Sequence, residues 1–201
     1  MTTSIQPPGA QPVLGAPLSD TEAVARPGLF RRVLLIALLI ILVFAATYAV
    51  AWFNSYRLSA RFISEAEASY SAGEYLNALV GYQEFNPQTN RYTTRGGYVK
   101  VEKIWSGTYS WPVPTSVQQA RQRIDEIIRQ RLTIPDAEEY IRANTGRPAP
   151  YFGEIYLRLG ELYEGDGDLK SAIDIYESIP DLFKDRPDLI DQAEAHLDRL
   201  Q

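Results

Sequence analysis

The chain of 201 residues carries one histidine, His196, and no cysteine. Zinc sites are built from several Cys, His or carboxylate ligands, and disulfides and thiolate catalysis need cysteine. Disulfides, thiolate catalysis and zinc sites built on Cys are therefore closed to it, and one His and one Met thin the remaining metal ligands. Near the polar end of the last helical pattern, His196 reads as a surface or helix-end residue. The acidic run Glu164 to Asp168, EGDGD, hints at calcium, yet it lacks the twelve-residue ligand spacing that ends in Glu. A turn between two helices explains it better. Arg95-Gly96-Gly97 is too short for a phosphate loop and lacks the Gly-Lys-Ser/Thr ending. No Gly-x-Ser-x-Gly elbow occurs. Glu138-Glu139 lies on a helix with an apolar opposite face, which makes it a solvated pair. Trp105 and Trp111 flank a Gly-Pro loop and read as packing residues. No residue is assigned a catalytic, cofactor or metal role, and the expectation is a protein that is not an enzyme.

The elements that would carry any function divide at Val33 to Phe53, VLLIALLIILVFAATYAVAWF. The run holds no charge, no Pro and no Gly. As a helix it reaches ~31 Å, the thickness of a bilayer's hydrocarbon core. A helix also satisfies its own backbone there. Tyr48, Trp52, Phe53 and Tyr56 gather at its far end like an interfacial belt. Arg26, Arg31 and Arg32 precede the run, and Arg57 and Arg61 follow it. This bias predicts a cytoplasmic N-terminus and an extracytoplasmic C-terminal part. A competing reading is a long signal peptide cleaved at Ala49-Val50-Ala51. Residues 1–28 are rich in Pro and Gly and poor in large apolar groups, so they are expected to be a disordered tail.

Two stretches beyond the run repeat one pattern. In 59–86, Phe62, Ala66, Ser69 and Tyr70 keep helical spacing. Gly73 then breaks the run, and Tyr75, Ala78, Leu79 and Tyr82 begin a second helix. In 153–180, Tyr156, Leu159, Gly160 and Tyr163 form one stripe, and Ala172, Ile173, Tyr176 and Ile179 form another. Small Gly160 and Ala172 let the two helices approach closely. Each stretch reads as a helical hairpin.

The second stretch resembles the tetratricopeptide repeat. Its Tyr156-x2-Leu159-Gly160-x2-Tyr163 and Ala172-x3-Tyr176 meet that family's pattern. In the first stretch Ala66, Gly73, Tyr75, Ala78 and Tyr82 fall on the equivalent positions. Glu65, where the family prefers Leu, departs from it, as does the late Pro187. The resemblance implies an open groove lined by the first helix of each hairpin. Its groove positions fall on Ala60, Ile63, Glu67 and Tyr70, and on Glu154, Leu157, Glu161 and Glu164. It also implies a protein-binding scaffold, assembly factor or accessory subunit of a membrane-associated complex. The carboxylates at these positions imply a partner segment with Lys or Arg beside an apolar residue.

Gly73 and Gly167 are not separated by a multiple of the family's ~34-residue period, so 87–152 is a divergent insert. Tyr98, Val101 and Trp105 favour a helix within 95–105, against a strand reading through Val99 and Val101. Ser116 with Gln119 looks like a capping box, opening a helix to about Arg131. Thr133 and Pro135 open another that Gly146 ends. Asp185-Arg186-Pro187 starts a capping helix over about 187–200, with Leu189, Ile190, Ala193, Leu197 and Leu200 inward. Residues 86–147 hold ten Lys and Arg against six Asp and Glu, and 148–201 hold five against thirteen. Mutual neutralisation within the fold is the plainer reading of that asymmetry. Two oppositely charged contact surfaces are the other. The overall charge of −5 disfavours nucleic acid.

The expected architecture is all-α. A transmembrane helix with its flanks (29–56) precedes a tetratricopeptide-like solenoid (57–201) that carries the divergent middle. The expected partners are protein, and membrane lipid through Val33–Phe53. The alternative is an anchored enzyme or ligand-binding receptor with its site in 87–152.

Overall fold

The computed structural model describes residues 27–108 and 110–200. The expected disordered tail lies, up to residue 26, outside the described residues. Contacts divide the chain into two units, Met1–Ala46 and Thr47–Gln201. In the first unit the described residues form the start of helix α1 (Pro27–Ser71). Pro27 sits at the helix start, where its missing N–H costs nothing. No Gly or Pro interrupts the helix beyond Gly28. Its apolar side chains are open, with Leu35 55% and Leu42 61% exposed. A core helix of a soluble protein buries such residues. Among the described residues α1 is the one helix long and apolar enough to cross a membrane.

The second unit is built mostly of helices: the remainder of α1 from Thr47, α2 (Tyr75–Val80), α3 (Tyr98–Ile104), α4 (Thr115–Glu126), α5 (Ile134–Asn144), α6 (Phe152–Asp166), α7 (Leu169–Leu182) and α8 (Pro187–Leu200). Strands β1 (Gln83–Asn86) and β2 (Arg91–Thr94) pair antiparallel between α2 and α3, with Phe85 opposite Tyr92. The α1–α2 and α6–α7 turns are built alike. Gly73 takes φ 81° and Gly167 takes φ 87°, the left-handed region open to glycine. In the first turn Gly73 N–H donates to Tyr70 O and Glu74 N–H to Ser69 O. In the second, Gly167 N–H donates to Glu164 O and Asp168 N–H to Tyr163 O. Both are Schellman closures. The next residues share one conformation, Glu74 at φ −85°, ψ 69° and Asp168 at φ −82°, ψ 70°.

The hairpins differ after the turn. Helix α7 runs fourteen residues, whereas α2 stops after six at Gly81. Gly81 adopts φ 71°, and a Cβ there would stand 2.4 Å from Arg95 O. A Cβ on Gly97 would stand 2.2 Å from Gly81 N, and one on Gly96 2.4 Å from Phe62 Cα on α1. Three glycines thus let the chain after β2 press onto α1 and α2, and the space a longer α2 would need is filled. The β-hairpin replaces the continuation expected through Tyr82.

One further expectation is corrected, while the helix expected to run to about Arg131 does so. Ser116 and Gln119 form no capping box. Pro114, in extended backbone, is the N-cap of α4 and offers no side-chain acceptor, so the helix starts upstream of Ser116. The capping box lies instead at Thr133 and Asp136, opening α5. Helix α4 ends in a π-helical turn, Ile127–Arg131, closed by Leu132 N–H donating to Ile127 O at 2.9 Å. That widened turn buries Ile127, Ile128 and Leu132 together.

Helix α6 is the wall shared by two cores. Ile155 and Leu159 face a core with Tyr98, Val101, Ile124, Ile127 and Tyr140. Leu157 faces another with Ala172, Tyr176, Ile179, Leu189 and Ala193. At Gly160 a Cβ would stand 2.6 Å from Tyr176 Cε1, so α6 and α7 touch where the small residues predicted close approach. Helix α8 turns Leu189 and Ala193 inward, as expected.

Candidate functional site

Three separated stretches of sequence form a cleft of about 410 Å³. Helix α4 and its π-helical turn bring Arg121, Ile124, Asp125, Ile128 and Arg129. Helix α6 brings Glu154, Leu157, Arg158 and Glu161, and the start of α8 with the residue before it brings Arg186, Asp188, Leu189 and Gln192. Each wall has a local cause. The π-helical turn inserts one residue, a device frequent at functional sites, and it lets Ile128 join the core while Arg129 stays outside at the rim. Tyr151, which also lines the cleft, caps α6 at φ 60°, a conformation that costs a non-glycine residue roughly 1–3 kcal/mol. Its phenol repays part of that by donating to Glu102 Oε2 at 2.5 Å. Burial, then that hydrogen bond, pushes the phenol well above its ordinary range.

The floor is apolar, made by Ile124, Ile128, Leu157 and Leu189. The rim is charged and balanced. Arg186 bridges Glu154 at 2.9 Å and Asp188 at 2.7 Å. Arg158 meets Glu161 at 2.6 Å, Arg129 meets Asp125 at 2.6 Å, and Arg121 meets Glu102 at 2.7 Å. The Nε of Arg158 is buried without an acceptor, which leaves a spare donor at the wall. Arginine offers five donors in a planar fork and stacks on flat groups. The arrangement suits a ligand with apolar side chains flanked by charge. The cleft walls hold no His, Ser or Lys, and among the described residues no metal-binding cluster occurs.

Of the eight positions expected to line a groove, Ala60 is exposed on α1, and the other seven do not share one groove. Glu154, Leu157 and Glu161 line the cleft. Ile63 and Glu67 line a separate depression with Arg123. Tyr70 is a cross-link between α1 and α4: it donates to Glu126, and Arg123 lies 4.4 Å over its ring. Glu67 pairs with Arg123 at 3.3 Å. Hydrogen bonds from Tyr70, then Arg123, hold the Glu126 carboxyl down at about 2. Glu164 belongs to a junction of α6, α7 and α8. There it accepts from Tyr176 at 2.8 Å and meets His196 Nδ1 at 2.6 Å. His196 lies towards the C-terminal end of α8, one of the two places expected for it, and is half-buried there. Its side chain is 18% exposed, and its ring stacks on Tyr176 at 4.7 Å.

The charge asymmetry along the chain is not cancelled by direct pairing. Among the described residues no ion pair joins the basic 86–147 to the acidic 148–201; the basic segment pairs within itself, with α1 and with Glu84 on β1, and the acidic one within itself. The two segments face each other across the cleft instead. Arg121, Arg129 and Arg186 escaped sequence reasoning because nothing local marks them as neighbours of Glu154 and Leu157. No protein-family model, curated protein or solved structure matches the chain.

Proposed function

We propose that the chain is a membrane-anchored, tetratricopeptide-like protein-binding module, acting as a scaffold or accessory subunit of a membrane-associated complex. The observation that carries this reading is the cleft: an apolar floor within reach of a balanced charged rim, open along three helices. Protein segments dock in such grooves through apolar anchors, while rim charges set orientation and encounter rate. The like-built turns at Gly73 and Gly167 and the close contact at Gly160 support the repeat resemblance. The balanced rim moves the preferred partner from a basic segment to an apolar one flanked by charges of both signs. Val33–Phe53 serves as the anchor, with the Arg31-Arg32 side facing the cytoplasm.

Site-directed photo-crosslinking of the full chain in native membranes tests this reading. Crosslinkers at the rim positions Arg129 and Gln192 should capture the same protein, and one at the outward-facing Asp174 should not. Capture of a small molecule alone, or of nothing at the rim, would turn the reading towards a ligand-binding receptor. Resistance to alkaline extraction tests the anchor, and protease accessibility in right-side-out vesicles tests the sidedness.

A further inference from the structure

Trp111 is 76% exposed and Val113 is 49% exposed. The packing role expected for Trp111 is therefore not met; Trp105, 5% exposed, does pack. An open tryptophan is costly in water, and its amphipathic ring favours the boundary between water and lipid. The tip that carries it is tied to the aromatic end of the apolar run. Tyr48 Oη donates to Trp111 O, and Trp111 N–H donates back to Tyr48 Oη at 3.2 Å. Trp52 Nε1 donates to Pro112 O at 2.9 Å. Trp52 in turn packs edge-on against Trp105 and stacks on Tyr56.

Tyr48 lies five residues before Phe53, the last residue of the run, which is ~7 Å along a helix. Helical side chains lean towards the helix N-terminus, so the Trp111 backbone is held at the level of Tyr48 or nearer the middle of the run. The tip is built for such a place. Both polar backbone groups of Trp111 and the carbonyl of Pro112 are already bonded, and Pro112 and Pro114 have no N–H to satisfy. Apolar surroundings penalise only unbonded groups. No charged residue occurs from Ile104 to Ala120 or from Val33 to Tyr56.

We infer that the Trp111-Pro112-Val113 tip is a lipid contact, an interfacial finger that docks the 47–201 unit on the bilayer face from which α1 emerges. This rests on the anchored reading of α1. The tip is a second, shallower lipid contact of that unit, next to Tyr48 and Trp52.

The chain has no cysteine, so single cysteines can be spin-labelled cleanly in the full chain reconstituted in phosphatidylcholine/phosphatidylglycerol nanodiscs. Val113→Cys and Trp111→Cys report the tip, Ala46→Cys the anchor and Asp191→Cys an aqueous face; circular dichroism checks that each variant keeps its helix content. Collision with oxygen and with a water-soluble nickel chelate is read by power saturation. The inference expects the labels at 111 and 113 to lose nickel accessibility and gain oxygen accessibility relative to 191, as the label at 46 does. Labels at 111 and 113 that behave like 191, while 46 stays lipid-like, overturn the finger and leave the anchor standing. Labels at 111 and 113 shielded from both quenchers indicate a protein contact and also overturn it. A label at 46 that behaves like 191 overturns the anchored reading itself, and the finger with it.

Discussion

Glu65 is the residue at which the first hairpin departs from the tetratricopeptide pattern, and its surroundings supply the reason. Its carboxylate accepts from Gly96 N–H at 2.6 Å, from Arg61 at 2.8 Å and from Arg95 at 3.4 Å. A leucine would pack in the same place but leave a buried N–H without a partner. Glu65→Leu should therefore destabilise the protein by about 1–3 kcal/mol, measured by thermal unfolding of the full chain in mild detergent. An equal or higher melting temperature would show that the Gly96 bond contributes nothing. Burial raises the Glu65 carboxyl, but Arg61, the Gly96 amide and Arg95 outweigh it and leave it below its ordinary range. Glu126, bonded by Tyr70 and Arg123, stands at about 2. Both groups bind protons less readily in the folded state than in the unfolded one. Their stabilisation is complete above the ordinary glutamate value of ~4.3 and is lost as pH falls through the folded values. Melting temperature should fall as pH drops from ~4.3 to about 2, and Glu126→Gln should flatten that fall. An unchanged slope in the variant would remove Glu126 from the acid response.

Among the elements, the α6–α7 hairpin carries both the cleft wall and the second core. Its closest approach is at Gly160, where a Cβ would meet Tyr176 Cε1 at 2.6 Å and Ile175 Cγ2 at 3.0 Å. Tyr176 is fully buried and held by Glu164 and His196, so the ring has little room to retreat. Gly160→Ala should cost about 1–3 kcal/mol and Gly160→Leu more, read from chemical denaturation. A neutral Gly160→Ala would mean that the helices part without penalty. This hairpin was legible in the sequence because its contacts are local: a 3.6-residue stripe, a glycine turn and a second stripe. The first hairpin was legible only to its turn. What shortens α2 is the approach of Gly96 and Gly97 from a later stretch, and no periodicity within 75–85 reports that.

For the whole molecule, the unit that holds the cleft begins at Thr47, inside the apolar run. Tyr48 and Trp52 bond the loop before α4, and Trp52 packs on Trp105. A chain lacking 33–46 should leave the membrane fraction yet keep these contacts. A chain starting at Arg57 should lose them and unfold at a lower temperature than one starting at Thr47. Equal melting temperatures would show that the segment 47–56 serves the membrane alone. The comparison also separates the two roles of the aromatic end of α1, which the run of apolar letters presents as one.

Local order is what the amino-acid sequence determined by itself. The uncharged run of α1, the glycine turns at Gly73 and Gly167, the Thr133–Pro135 helix start and the inward stripe of α8 each depend on residues within a few turns of one another. Tertiary structure decided everything built from distant partners. The cleft takes its walls from 121–129, 154–161 and 186–192, so its arginines could not be assigned to it in advance. His196 is half-buried at its helix end because Tyr176 and Glu164, on other helices, give it a stacking face and a hydrogen bond. Glu67 and Tyr70 left the expected groove because Arg123 and Glu126 on α4 engage them. Trp111 stayed outside because Tyr48 and Trp52 hold its backbone and leave its ring free. Periodicity records which face of an element is apolar, whereas the partner of each side chain depends on the packing of elements whose separation along the chain carries no signal.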